Sequence, residues 1–219
     1  MIVTAEELIG LSSVSGGGWL PGVPVRVSGL KAAISGLTGL TKLGVIDGDG
    51  VLTDAGLLPV TAVKLYREAN THVVFNQLRV SVDTDGLLPD GLLTVLQPVE
   101  GGWWLGRFDP VVLMLVLLRS YPFLQGGGPD VEPGPWQDLG VLDWADTRGS
   151  GQLLTVTVMT GGQQSQVLGL EERDGMGFQF DVNRGRARVT PLWRLRHLVA
   201  GLLGCSPDMN VSKGGVVHG

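Results

Sequence analysis

A chain of 219 residues with 43% hydrophobic and 17% charged residues can pack a core, which excludes a disordered tail and leaves room for one large domain or two small ones. A net charge of −5, with lysine only at Lys31, Lys42, Lys64 and Lys213, excludes the basic stripe of a nucleic-acid or anionic-membrane binder. Cys205 stands alone, which excludes an internal disulfide and a cysteine-based metal site and fits a reducing, cytoplasmic setting.

The N-terminus, MIVTAEELIGL, lacks a basic region and carries Glu6 and Glu7 where a signal peptide would be apolar. Thr4 and Glu7 have capping-box spacing and predict a helix to about Leu11. Residues 12–29 are rich in Gly and Pro and read as loop or short edge strand. Ser28 is placed to cap a second helix with Leu30, Ile34 and Leu37 on its apolar face, against which Gly36 and Gly39 count. After the DGDG turn at 47–50, Thr53 or Asp54 opens a third helix, or Pro59 does so as its first residue. Leu57, Leu58, Val60, Val63 and Leu65 should then face the core.

Residues 73–82 read as one strand with a bulge, since alternation slips between Phe75 and Leu78. The loop 83–91 carries Leu87 and Leu88 at its tip, and strands follow at 92–97 and 103–108. Asp109-Pro110 opens an apolar helix. Its eight-residue apolar run, Val111–Leu118, is far short of the ~20 that span a bilayer, so it reads as a buried core helix without membrane insertion. Residues 126–135 read as a linker. Strands at 152–159, 164–172 and 177–183 follow, with turns at Gly161-Gly162 and Asp174-Gly175, then Thr190-Pro191 opens a last amphipathic helix. The interval from Pro110 to Pro191 matches that from Val73 to Leu153 to within one residue. The expected fold is therefore α+β: an antiparallel sheet flanked by helices, with β-β-β-α units duplicated about a pseudo-two-fold. The chain is expected to form a single domain, 1–219, with halves at about 1–125 and 136–204, linker 126–135 and a flexible tail 206–219.

No reactive constellation emerges. His72, His197 and His218 have no metal-ligand spacing, so neither metal nor cofactor is expected. Ser28 and Lys31 match S-x-x-K without its partner motifs, and a serine cap with an exposed lysine suffices. The Gly runs at 16–18 and 126–128 do not match a phosphate loop, and G-x-S-x-G is absent. Asp47/Asp49 and Asp83/Asp85 belong to turns; the calcium-loop pattern they begin ends in Leu58 and Thr94 instead of Glu. Arg184, Arg186 and Arg188 should share one face of a strand, as an edge blunted by charge or as a patch for an anion or acidic partner. Trp103 and Trp104 must face opposite ways in a strand, one to the core and the other exposed or covered by a partner.

The segments LGVIDGDGVLTDAGLLPVTAVKLYREA, WWLGRFDPVVLMLVLL and RVTPLWRLRHLVAGLLG, in the order helices, strands-helix, strands-helix, resemble the EspG family of actinobacterial type VII secretion. The resemblance covers roughly residues 28–204 and rests on architecture and dispersed short segments. It implies a cytosolic, non-enzymatic chaperone that binds a secreted helical heterodimer of PE–PPE type. Shorter strands and a Gly-rich N-terminal loop depart from that family and suit other cargo, such as WXG100-like helical hairpins. On this reading Leu87, Leu88 and one of Trp103 and Trp104 serve as partner-binding anchors. The alternatives are an enzyme with dispersed catalytic residues and a structural module that forms a homodimer through an open sheet edge.

Overall fold

A computed structural model describes residues 1–23, 30–82, 91–127, 131–139 and 153–207. The chain divides into two compact units, Met1–Phe108 with Thr155–Leu168, and Asp109–Leu154 with Gly169–Gly219. The first holds β1 (Ile2–Val3), α1 (Ala5–Val14), α2 (Leu30–Lys42), α3 (Asp54–Glu68), β2 (Thr71–Phe75), β3 (Leu78–Val82), β4 (Leu93–Val99), β5 (Gly102–Phe108) and most of β7 (Leu154–Thr160). The second holds α4 (Pro110–Ser120), β6 (Gln137–Asp138), β9 (Met176–Asp181), β10 (Arg186–Thr190) and α5 (Leu192–Leu203), and β8 (Gln163–Arg173) contributes to both. The fold is α+β, with an antiparallel sheet in the order β1-β5-β4-β3-β2-β7-β8-β9-β10-β6.

The expected three-strand repeat is corrected to four strands and a helix, β2–β5 with α4 and β7–β10 with α5. Residues 73–82 are a hairpin, not one bulged strand. Asn76 adopts the left-handed conformation (φ 52°) and closes a two-residue turn that pairs Phe75 with Leu78. The apparent phase slip is a chain reversal. Asn76 also exchanges two bonds with Thr155, N–H to O and Oδ1 from N–H, both at 2.8 Å.

In the first unit the capping box forms as expected: Thr4 Oγ1 accepts from Glu7 N–H, and Glu7 Oε2 from Thr4 N–H. α1 runs on to Val14. α2 packs on α1 through backbone. A Cβ on Gly36 would lie 2.0 Å from the Glu6 carbonyl oxygen, and one on Gly10 would lie 3.0 Å from the Gly36 carbonyl carbon. Each glycine costs a helix about 1 kcal/mol against alanine, but only glycine permits this approach. The buried face of α2 is Ala32, Gly36 and Leu40. Ile34 and Leu37 of the expected face are therefore turned outward, at 56% and 36% exposed.

α3 begins at Asp54 behind Thr53, whose hydroxyl accepts from Gly56 N–H, and Pro59 lies within the helix instead of opening it. A Cβ on Gly56 would meet the Val45 carbonyl at 2.1 Å. That contact fixes which face points inward: Gly56, Pro59, Val60, Val63 and Tyr66 are buried at helical spacing. Leu57 and Leu58, expected in the core, are turned out. The core joins Leu8, Leu11, Leu40, Val63, Tyr66, Leu96, Trp103 and Leu105.

In the second unit Asp109 Oδ1 caps α4 by accepting from Val111 N–H at 2.7 Å. Leu113, Met114, Leu117 and Leu118 are buried, while Val111, Val112 and Val116 are exposed, so α4 is half-buried and not a fully buried core helix. α5 buries Leu195, Val199, Ala200 and Leu203. Residues 131–139 lie along β10: Gly134 N–H donates to the Val189 carbonyl, and β6 pairs with Arg186 and Ala187.

Candidate functional site

Two surfaces stand out, one apolar and one basic. In the first unit, residues 34–58 expose Ile34, Leu37, Leu43, Val51, Leu57 and Leu58, the last at 76%. Scattered surface leucines are ordinary. Six large apolar side chains in so short a stretch are a concentration of the kind that marks an interaction surface. Its cause is local: glycine packing at Gly36 and Gly56 turns the large residues of α2 and α3 away from the core. Asp47 stiffens the connecting turn, its Oδ1 accepting from Asp49 and Val51 N–H at 3.0 and 2.8 Å, which is the turn role expected of it. In the same unit Trp19, 59% exposed, walls a cleft of about 200 Å3 beside Leu8, Ile9 and Leu20.

Leu87 and Leu88 lie outside the described residues, as does Trp144. Trp103 is a core residue, 8% exposed, with the Arg79 guanidinium 4.9 Å above its ring. Trp104 points the other way, as strand geometry requires, and is half-buried. Its ring lies over Gly106, where a Cβ would be 2.3 Å away, and meets Phe108 at 5.2 Å.

Among the described titratable groups of the first unit displaced from ordinary acidity, Tyr66 and His72 are fully buried and Arg79 is part-buried. Tyr66 donates its hydroxyl to the Pro21 carbonyl at 2.7 Å, and burial pushes its pKa far above the usual phenol range. His72 is fully buried and 2.6 Å from the Tyr66 carbonyl, so its Nε2 carries the proton. Burial lowers its pKa, and the hydrogen bond to Tyr66 opposes that shift. Arg79 donates to the Gly22 carbonyl. These three groups tie the loop at 21–22 to α3, β2 and β3.

In the second unit, Arg186 and Arg188 lie on one face of β10 as expected. Arg184 does not: it belongs to a 3-10 turn, Val182–Arg184, that ends at Gly185 in the left-handed conformation. Trp136 sits between the other two, 4.4 Å from Arg186 and 4.5 Å from Arg188. Buried Asp181 pairs with Arg186 at 3.3 Å, and buried Glu171 with Arg173 at 2.7 Å. Neither surface is fully legible in the sequence. Gly36 and Gly56 indicate a close approach only once the partner backbone is known. Nothing in the sequence marks Trp136 as the partner of two arginines.

Among the described residues, no group of three His, Cys, Asp or Glu side chains is placed to hold a metal, and no helix is long and apolar enough to cross a membrane. No protein-family model matches the chain, and no curated protein matches its sequence.

Proposed function

We propose that this protein is a non-catalytic cytoplasmic adaptor that binds an apolar helical face of a secreted partner, as a chaperone for a PE–PPE-type or WXG100-like substrate of type VII secretion. The observation that carries the reading is the run of exposed Ile34, Leu37, Leu43, Val51, Leu57 and Leu58 on α2, α3 and their connection. An amphipathic helix offers a complementary stripe at i, i+3, i+4 and i+7, and such interfaces rest on a few aliphatic anchors, not on titratable groups. The outermost described strands, β1 and β6, have two residues each, which gives little support to the alternative of pairing through an open sheet edge. The enzyme alternative draws little support from the first unit, where burial is the chief cause of the displaced acidities of Tyr66 and His72.

The test is co-expression with the small helical secreted proteins encoded beside it, followed by affinity purification and light scattering. A discrete complex is expected, and Ile34→Asp with Leu58→Asp should abolish it while the unfolding free energy stays within the range of surface substitutions, about ±0.5 kcal/mol. A complex that survives both substitutions, or a monomer under every pairing, would remove this reading.

A further inference from the structure

We propose that the second unit carries a binding site for an oxyanion, the phosphate or carboxylate group of a small molecule, at the N-terminus of α5, with Arg188, Thr190 and Arg194 as its ligating side chains. It is independent of the helix-binding reading, since it uses the other unit and polar groups in place of apolar ones.

These residues line an open cleft of about 660 Å3, within the ~300–1,000 Å3 common for small-molecule sites. Thr190 is 2% exposed, yet its hydroxyl has no hydrogen-bond partner among the described residues. Arg194 lines the same cleft, and its buried Nε–H also has none among them. Buried polar atoms in native proteins are nearly always partnered, so two orphans lining one cleft point to a ligand that bonds them. The N-terminus of α5 adds a third demand. Its N-cap is Pro191, which has no side-chain group to cap the first turn, and the Arg194 N–H turns back to the Pro191 carbonyl at 2.9 Å. The partial positive charge of such a terminus favours an anion.

Arg188 supplies the cation. Its Nε–H and Nη2–H donate to Gln179 Oε1 at 2.9 and 2.7 Å, which fixes the guanidinium plane and uses two of its five N–H groups. The rest have no hydrogen-bond acceptor among the described residues, the guanidinium otherwise meeting only the Trp136 ring, and no carboxylate there pairs with it. Burial first, then the like charges of Arg194 and Arg186, lower its pKa. A cation crowded by cations and lacking a counterion gains more from an incoming anion than one already paired. Its neighbours are paired, Arg186 with Asp181 and Arg194 with Glu132 at 2.7 Å. Glu132 is 84% exposed and bonds Arg194. It therefore fills one edge of the cleft with a carboxylate and competes with the ligand for Arg194.

The test is titration of the full-length protein with inorganic phosphate and, separately, with acetate, in chloride buffer of matched ionic strength, read by amide NMR shifts of residues 188–195. Saturable shifts are expected. Arg188→Gln should weaken binding about tenfold, as for loss of a charged hydrogen bond, and Thr190→Val should weaken it less. Glu132→Gln should tighten binding about threefold, the worth of an exposed ion pair. Tighter phosphate binding identifies a phosphate ligand, and tighter acetate binding a carboxylate. No saturable shift with either anion, or Arg188→Gln and Glu132→Gln both leaving affinity unchanged, would overturn the proposal. Because Glu132 is exposed, its variant keeps the site testable even if Arg188→Gln does not fold.

Discussion

The helices of the two units are packed by different means. In the first unit α1 and α2 meet through glycine backbone and turn Ile34 and Leu37 outward; in the second, α4 and α5 bury leucine side chains, and the start of α5 opens on a polar cleft. Each unit carries its own kind of surface: exposed apolar side chains over residues 34–58, and a basic cleft at the start of α5. The second contrast lies within one unit. α4 and α5 both follow a polar residue and a proline, but the frame differs by one residue. In α4 Pro110 is the first helical residue and Asp109 the N-cap, so its carboxylate reaches Val111 N–H. In α5 Pro191 is itself the N-cap, which leaves Thr190 one position too early to reach the first turn. A single-residue shift separates a closed helix end from one open to a ligand.

The largest effect should come from Gly36→Ala. The new Cβ would meet the backbone oxygen of Glu6 at 2.0 Å, and backbone cannot swing aside as a flexible side chain can. Forcing α1 and α2 apart should cost about 3 kcal/mol in urea unfolding. Gly201 in α5 is the matching test in the second unit, and its sign is reversed. A Cβ there meets nothing within 4 Å, so Gly201→Ala should stabilise by about 0.5–1 kcal/mol. If both substitutions destabilise equally, glycine is not the packing device in the first unit.

Between those extremes lie the two helix ends. Asp109→Ala should cost about 1 kcal/mol, the usual worth of an N-cap. Thr190→Val should be neutral or stabilising without ligand, because it removes a buried hydroxyl that has no partner among the described residues. Equal losses from both would mean that Thr190 is already bonded and that the ends do not differ.

Much of the fold is legible in the sequence because it depends on short-range chemistry. The Thr4 and Glu7 box, the Asp109-Pro110 helix start and the turns at Gly161-Gly162 and Asp174-Gly175 are local, and each appears where its residues predict it. The hairpin at Asn76-Gln77 is hidden because it lacks the glycine that usually announces a two-residue turn. The faces of α2 and α3 mislead for a different reason. Apolar periodicity finds a stripe but does not say whether a partner approaches that stripe or the glycine stripe beside it. Periodicity alone therefore sends Ile34, Leu37, Leu57 and Leu58 to the core, although they form most of the candidate surface. The basic cleft is legible as far as Arg188; the frame of α5, in which Thr190 has no partner among the described residues, depends on where the helix actually starts.

The buried polar groups repeat the contrast in electrostatic form. In the second unit Glu171 and Asp181 are buried beside arginines, whereas in the first Tyr66 and His72 are buried with backbone carbonyls as their hydrogen-bond partners. His72 makes this measurable. Its Nε2–H is held by the Tyr66 carbonyl, its Nδ1 has no partner among the described residues, and burial lowers its pKa in the folded chain. In the unfolded chain the imidazole takes up a proton near its ordinary pKa of about 6.5. Above that pH neither state is protonated and stability is flat. As pH falls below it the unfolded state binds the proton first, so stability declines until the pH passes the lowered folded value. Unfolding midpoints in urea should therefore fall between about pH 7.5 and 5.5, a range in which ordinary carboxylates stay ionised. His72→Gln, which keeps a donor for Tyr66 but cannot titrate, should be less stable at the upper end of that interval and flat across it. A slope that survives the substitution would place the titrating group elsewhere and remove the distinction between a neutral interior in the first unit and a charged one in the second.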